Sequence, residues 1–393
     1  MKILFIHNRY KQHGGEDIIV DLETSLLTEK GHDVKKVIFD NTSIDGFFSK
    51  AAAALRSVYN FTSARTVAKA IADFKPDVIH VHNLFFVASP SVLSIAHKHK
   101  IPVVFTLNNY RLLCCNSILM RNNEICELCI NKKFPISGIR YKCYRNSAIE
   151  SALVTAITGI HKLLNTWNNT ITTYIALNEF SRSKFLNSSL HITDQKIITN
   201  QNFVRDPGEG NGQREEFFLF AGRIVKEKGV HILAQAFAAM PDNKIIIIGE
   251  GPDKDLLERT FTSNSNIIFK GQMPHEQVSN YMKRCQAVIC PSIWYEGTPL
   301  TVIEAFATGT PVIASRLGAM MESVLNGYNG FLFTAGDPDD LKKKIRVFIS
   351  ETTSNKTLYQ NARHTYLEKF QSEVHYNAIL KIYETAIAQE YNV

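Results

Sequence analysis

The sequence predicts two doubly wound α/β domains facing across a cleft, and three observations carry that expectation. At 393 residues the chain exceeds what one core comfortably fills, and it suits two units of roughly 200 residues each. Short, continuous apolar runs alternate with helical patterns from end to end, the signature of parallel strands covered on both faces. Proline, glycine and charge cluster without periodicity in RDPGEGNGQREE, Arg205 to Glu216, where a boundary is expected. The expected division is a first domain over 1–203 with an irregular insertion at 109–147, a second over 204–371, and a last helix over 372–393 that packs back across the junction.

In the first half the strand-like runs are KILFIHN, DVKKVIF, DVIHVHN, IPVVFTL and TTYIAL. In the second they are FFLFAGR, KIIIIGEG, NIIFKGQ, AVICPS, PVIAS and GFLF. All are rich in β-branched and aromatic residues. From Ser372 to Glu390, apolar Tyr376, Ile379, Leu380, Ile382, Tyr383 and Ile387 recur at helical spacing. Pro299 to Thr308 reads as a helix with Thr298 as N-cap and proline at the first helical position. Glu296 then lies in a loop and Glu304 inside the helix, so the two carboxylates flank whatever binds at that helix start. The bland alternative is two solvated acids.

Composition narrows the class. Hydrophobic residues make up 45% and charged residues 21%, ordinary for a soluble globular protein. The apolar stretch after Met1-Lys2 is too short for a signal peptide, and no window approaches eighteen uninterrupted apolar residues, so a cytoplasmic protein is expected. Residues 1–203 hold 24 Lys and Arg against 15 Asp and Glu, whereas the rest hold 20 against 22. The basic first half suits anionic lipid or phosphorylated ligands, and no zinc-finger spacing or RNP-type motif points to nucleic acid. Seven cysteines, an odd number, argue against a disulfide framework.

In doubly wound domains ligands sit at the carboxyl ends of the strands. Three stretches fit that rule. His13-Gly14-Gly15-Glu16 follows the first strand, and its glycines allow close approach to a phosphate or sugar, without the spacing of a dinucleotide fingerprint. Gly222-Arg223 with Lys226, Lys228 and Gly229 follows the first strand of the second domain and makes a clamp for a diphosphate, or else a set of surface cations. Gly249-Glu250-Gly251-Pro252 follows KIIII as another close-approach turn.

In this order and at these separations, HGGE, AGRIVKEKG, IIGEGP, EGTPLTVIEAFATGTPVIAS, NGFLF and GDPDDL resemble the retaining, nucleotide-sugar-dependent glycosyltransferases of family four, which have the two-domain Rossmann-like GT-B architecture. The resemblance covers essentially the whole chain. It implies that Arg223 and Lys228 bind the donor's diphosphate, that Glu304 accepts from the ribose hydroxyls, and that Glu296 lies close to the donor sugar. It further implies that the loop of Gly297, Thr298, Pro299 and Leu300 meets sugar and phosphate with its backbone N–H groups, Pro299 having none, and that no catalytic metal is needed. Where the family commonly has histidine over the donor sugar, this chain has Asn108, which hydrogen-bonds but does not titrate near neutrality; His82 is a second residue for that work, or a packed histidine.

The insertion brings Cys114, Cys126, Cys129 and Cys143 into a C-x11-C-x2-C-x13-C pattern. A structural zinc and plain free thiols are both open readings. Lys132, Lys133, Arg140, Lys142 and Arg145, beside an apolar helical stretch from Ala148 to Trp167, suit peripheral contact with an anionic membrane and a glycan or polyprenyl-linked acceptor; a solvated basic loop over a core helix is the alternative. The expected function is transfer of a sugar from a nucleotide diphosphate to such an acceptor in surface-polysaccharide synthesis. Competing expectations are a nucleotide-sugar epimerase or phosphorylase of the same architecture, and a non-catalytic nucleotide-sugar-binding subunit.

Overall fold

The computed structural model of the chain describes residues 1–9, 14–40, 58–354 and 356–391. Two compact units emerge, one of Met1–Leu119, Cys126–Gln201 and His375–Val393, the other of Met120–Ile125 and Asn202–Val374. His13 lies outside the described residues.

The first unit is built on strands β1 (Lys2–Arg9), β2 (Asp33–Asp40), β3 (Val78–Asn83) and β4 (Val103–Leu107). A two-stranded hairpin, β5 (Met120–Arg121) and β6 (Glu124–Ile125), interrupts before β7 (Thr173–Ala176) and β8 (Ile197–Thr199) close the set. The six long-range strands form one parallel sheet in the order β2-β1-β3-β4-β7-β8. β3 and β4 are buried residue for residue, as strands covered on both faces must be. On one face Ile3, Phe5, Val78, Val104 and Ile175 pack against Ile379, Ile382, Tyr383 and Ala386 of the final helix, Ser372–Tyr391. That helix, from His375 onward, is thus part of the first unit's core.

The second unit repeats the plan with β9 (Phe217–Ala221), β10 (Lys244–Ile248), β11 (Ile267–Gly271), β12 (Val288–Cys290), β13 (Val312–Ser315) and β14 (Gly330–Phe333). These are again parallel, in the order β11-β10-β9-β12-β13-β14. Period-two alternation sorts β9 between two cores: Phe217 and Leu219 join Val302, Phe306 and Tyr366 on one face, while Phe218 and Phe220 join Leu233, Phe237 and Phe348 on the other. Full burial of each such side chain contributes about 1.5–3 kcal/mol. Among the described residues no helix is long and apolar enough to cross a membrane.

Two expected helices differ in detail. The helix after Glu296 runs Leu300–Ala307, and Pro299, at φ −65° and ψ 122°, is its N-cap in place of Thr298. Proline's fixed φ is compatible with either role; its extended ψ moves the start by one residue. The stretch 148–167 is not one helix but two, Ala148–Leu163 and Thr166–Thr170, because Asn165 adopts a left-handed conformation at φ 56°. Trp167 is buried at the second.

Candidate functional site

In each sheet the chain reverses direction at one point, between β1 and β3 in the first and between β9 and β12 in the second. Loops leaving the two strands at such a point diverge and leave a crevice. The sequence-predicted residues gather at these two places, one cluster in each unit.

In the second unit the loop after β9 carries Gly222, Arg223 and Lys228, and the loop after β12 carries Ser292, Trp294 and Glu296. The two loops meet. Lys228 Nζ donates to Glu296 Oε1 at 2.6 Å, and the same oxygen accepts from Ser292 Oγ at 2.6 Å and from Trp294 Nε1 at 2.9 Å. Glu296 is buried, 4% exposed, and its second oxygen has no partner among the described residues, so a fixed acceptor remains open. The Lys228 ammonium also lies 5.8 Å from the centre of the Trp294 ring. Arg223 is exposed, and no carboxylate among the described residues pairs with it.

Glycine makes this loop contact possible at Gly229, where a Cβ would run into the Pro291 carbonyl oxygen, and it does the same for the loop after β10. A Cβ on Gly249 would stand 1.8 Å from the Gly222 carbonyl oxygen, and one on Gly251 would stand 2.2 Å from that of Ile224. The glycines expected to approach a ligand therefore first let the loops after β9 and β10 approach each other. Gly297 and Thr298 lead into the helix Leu300–Ala307, which has no side-chain cap. Its first backbone N–H groups, on Leu300 and Thr301, find no acceptor among the described residues, which leaves donors suited to an anion. Glu304, in the middle of that helix, accepts from His275 Nε2 at 2.9 Å. This hydrogen bond holds the exposed His275 ring above its ordinary pKa.

The first unit's cluster is more tightly closed. Gly14 caps the helix Gly15–Glu29 and its N–H donates to Asp17, whose other oxygen meets His7 Nε2 at 2.9 Å. At the end of β4, Asn108 Nδ2 reaches His82 Nδ1 at 3.3 Å, and the other ring nitrogen, Nε2, lies 2.8 Å from Glu23 Oε2. Neighbouring Asn109 donates to Glu16 at 2.6 Å, so the loops after β1 and β4 are joined. Glu23 also meets His375 Nε2 at 3.0 Å. Burial alone would raise the Glu23 carboxyl, but His82, His375 and His80 hold it well below the usual range. His80 is pushed down to about 3, by burial and then by His82.

Glu23, His80 and His82 form the one set among the described residues whose donor atoms come within 4.8 Å of one another in metal-ligand fashion. Both ring nitrogens of His80 are already hydrogen-bonded at 2.7 Å, to Tyr383 and Thr106, which leaves that ring no free nitrogen for a cation. Cys114, Cys126, Cys129 and Cys143 do not form such a set. None of them is in a disulfide, and burial raises Cys114 to about 11 and Cys129 to about 12. A zinc site would require these thiols to converge and ionise.

Sequence reasoning did not find Ser292, Trp294 or His275. Ser292 and Trp294 flank the loop quoted for its acids, and their signal was the placement of polar atoms within four residues of Glu296. His275 is brought in by tertiary packing and has no local signal.

Comparison with known proteins follows the same division. Residues 205–365 match the family model described as glycosyl transferases group 1, and residues 24–118 match the one described as glycosyltransferase family 4. An uncharacterised glycosyltransferase of Methanocaldococcus jannaschii is 31% identical over 210 residues, which cover 51% of this chain and 58% of that protein. The capsular polysaccharide biosynthesis glycosyltransferase CapM of Staphylococcus aureus is 26% identical over 219 residues, 54% of this chain and 53% of CapM. The chain thus matches little more than half the length of either relative. The solved structure of Anabaena HepE in complex with UDP superposes with a TM-score of 0.69 over 98% of this chain and 100% of that one, at 17% identity. At that identity the likeness shows the fold, which is GT-B. One glycosyltransferase family model thus matches within each unit of a GT-B fold.

Proposed function

We propose that this protein is a retaining, metal-independent glycosyltransferase that moves a sugar from a nucleotide diphosphate to a glycan or lipid-linked glycan acceptor of a surface polysaccharide. The observation that carries the reading is the Lys228–Glu296 contact at 2.6 Å, built by the two loops that diverge at the switch point of the second sheet. As the glycosidic bond to phosphate breaks, negative charge develops on the departing diphosphate. Arg223 and Lys228 supply fixed positive charge there, and the uncapped start of the helix Leu300–Ala307 supplies N–H donors. Glu296, held by three donors on one oxygen, uses the other to accept from a donor-sugar hydroxyl and orient the ring. Glu304 takes the ribose hydroxyls, in exchange for His275.

A peripheral contact with an anionic membrane face is part of the proposal, supported by exposed Leu128, Ile136 and Ile149 near exposed Lys132, Lys133 and Lys142.

Incubation of the purified chain with a panel of nucleotide sugars, UDP-sugars first, tests the reading. Slow release of nucleoside diphosphate from one donor, unaffected by EDTA and with retained anomeric configuration in the product sugar, is expected. Epimerised donor with no nucleoside diphosphate released would replace the transferase by an epimerase.

A further inference from the structure

A cavity of about 240 Å³ in the first unit is lined in part by Lys133, Lys162, Trp167, Ser189 and His191, none of which belongs to the candidate site. Sites for drug-sized ligands run to roughly 300–1,000 Å³. This volume suits a headgroup and is too small for a nucleotide sugar.

Its chemistry is one-sided. Lys162 is only 8% exposed, and its ammonium donates to Ser189 Oγ at 2.9 Å and to the Lys132 carbonyl at 3.2 Å. An ammonium has three N–H donors, and no carboxylate among the described residues forms an ion pair with this one. Burial lowers its pKa to about 8, and the groups that pull the other way are the thiols of Cys129 and Cys115, which burial keeps protonated. Trp167 is 1% exposed, and its indole N–H has no acceptor among the described residues, although buried donors are nearly always satisfied. Lys133 adds a second, exposed ammonium and His191 an imidazole, and no acidic residue lines the cavity among the described residues. Leu163 in the lining and adjacent Leu164 are both more than half exposed, so the cationic cavity has apolar side chains beside it.

We propose that this cavity binds a phosphate group, free or as the headgroup of an anionic lipid, with Lys162 and Lys133 supplying the charge and the Trp167 indole a neutral donor. A phosphate offers several strong acceptor oxygens to donors arriving from different elements, which one carboxylate does not. The site is independent of the donor reading and uses none of its residues.

Trp167 and Trp294 are the two tryptophans of the chain, so in a Trp294→Phe background the emission reports on the cavity alone. Titration with inorganic phosphate, and with phosphatidylcholine vesicles with and without phosphatidic acid, should give a saturable change in Trp167 emission. Lys162→Gln or Lys133→Ala should weaken it roughly tenfold or more. Lys133 is on the surface, so its substitution leaves the fold intact even where Lys162→Gln does not. Arg223→Ala should leave the response unchanged, which separates this site from the diphosphate clamp. A response to phosphatidic acid vesicles and not to neutral ones identifies the lipid source; a response to inorganic phosphate alone identifies a soluble one. Silence towards both, or a response indifferent to both lysine substitutions, overturns the proposal.

Discussion

The two sheets share a topology but finish their carboxyl ends in opposite ways. At the first, Asn108, His82, Glu23 and His375 are linked in a buried network. At the second, Arg223 has no carboxylate partner among the described residues, Glu296 keeps one oxygen open, and the first N–H groups of the helix after Pro299 await an acceptor. Polar groups closed on one another hold a shape; polar groups left open bind. By that contrast the first cluster suits a supporting role, and the second suits the charged ligand of the proposed function.

That contrast can be broken most severely at Glu23. Glu23→Ala strips the carboxylate from between two histidines, and loss of one partner from a buried ionic set costs about 3–5 kcal/mol. Urea unfolding followed by Trp167, in the first unit, should show the loss, while Trp294, in the second, should not. Equal destabilisation of both would mean that the network is not local.

Next in size, Arg223→Ala or Lys228→Ala should lower turnover by about a hundredfold or more with the fold intact, as loss of charge stabilisation at the leaving group does. Near-normal turnover in both variants would remove the phosphate clamp. Glu304→Gln should weaken nucleoside diphosphate binding by about 1.5–3 kcal/mol, the worth of a hydrogen bond to a charged group, as read by calorimetry. Unchanged affinity would place Glu304 away from the ribose.

The smallest effects are in pH. Glu23 titrates below its unfolded value, so its contribution is present above that value and lost as pH falls through the folded one. His80 stays neutral in the fold down to about 3, whereas the unfolded side chain takes up its proton near 6.5, so stability declines from about pH 6.5 towards 3. His231 in the second unit shifts the same way, but His32 and His161 add to His80 in the first. Acid should therefore unfold the Trp167 unit at a higher pH than the Trp294 unit. In the second unit His275 has the opposite sign: its raised pKa means that the imidazolium holds Glu304 below that pKa and releases it above. Nucleotide affinity should rise a few-fold through that range, and His275→Gln should flatten the curve.

Much of the fold was legible because a strand buried on both faces must be written in apolar residues. KIIII became β10 and VVFTL became β4. Ile197–Thr199 was missed because an edge strand of three residues, followed by Asn200 and Gln201, carries no pattern. Glu296 and Glu304 were visible as acids in an apolar stretch, but their partners were not. Lys228 lies 68 residues before Glu296 and His275 lies 29 before Glu304, and only the crossover at the switch point brings the first pair together. The cysteine spacing was legible too, yet spacing does not say whether thiols converge. Packing is also present in the insertion, where Phe134 lies against Gly159.

The final helix has a consequence for how the molecule is made. Tyr383 closes on His80 and His375 on Glu23, so residues at the end of the chain complete a core whose strands begin at Lys2. During synthesis N-terminal units generally fold first. Here the first sheet leaves the ribosome with one face uncovered and stays so while all of the second unit is translated. The second unit, contiguous from Asn202 to Val374 apart from a short hairpin, is complete before the older one can be sealed.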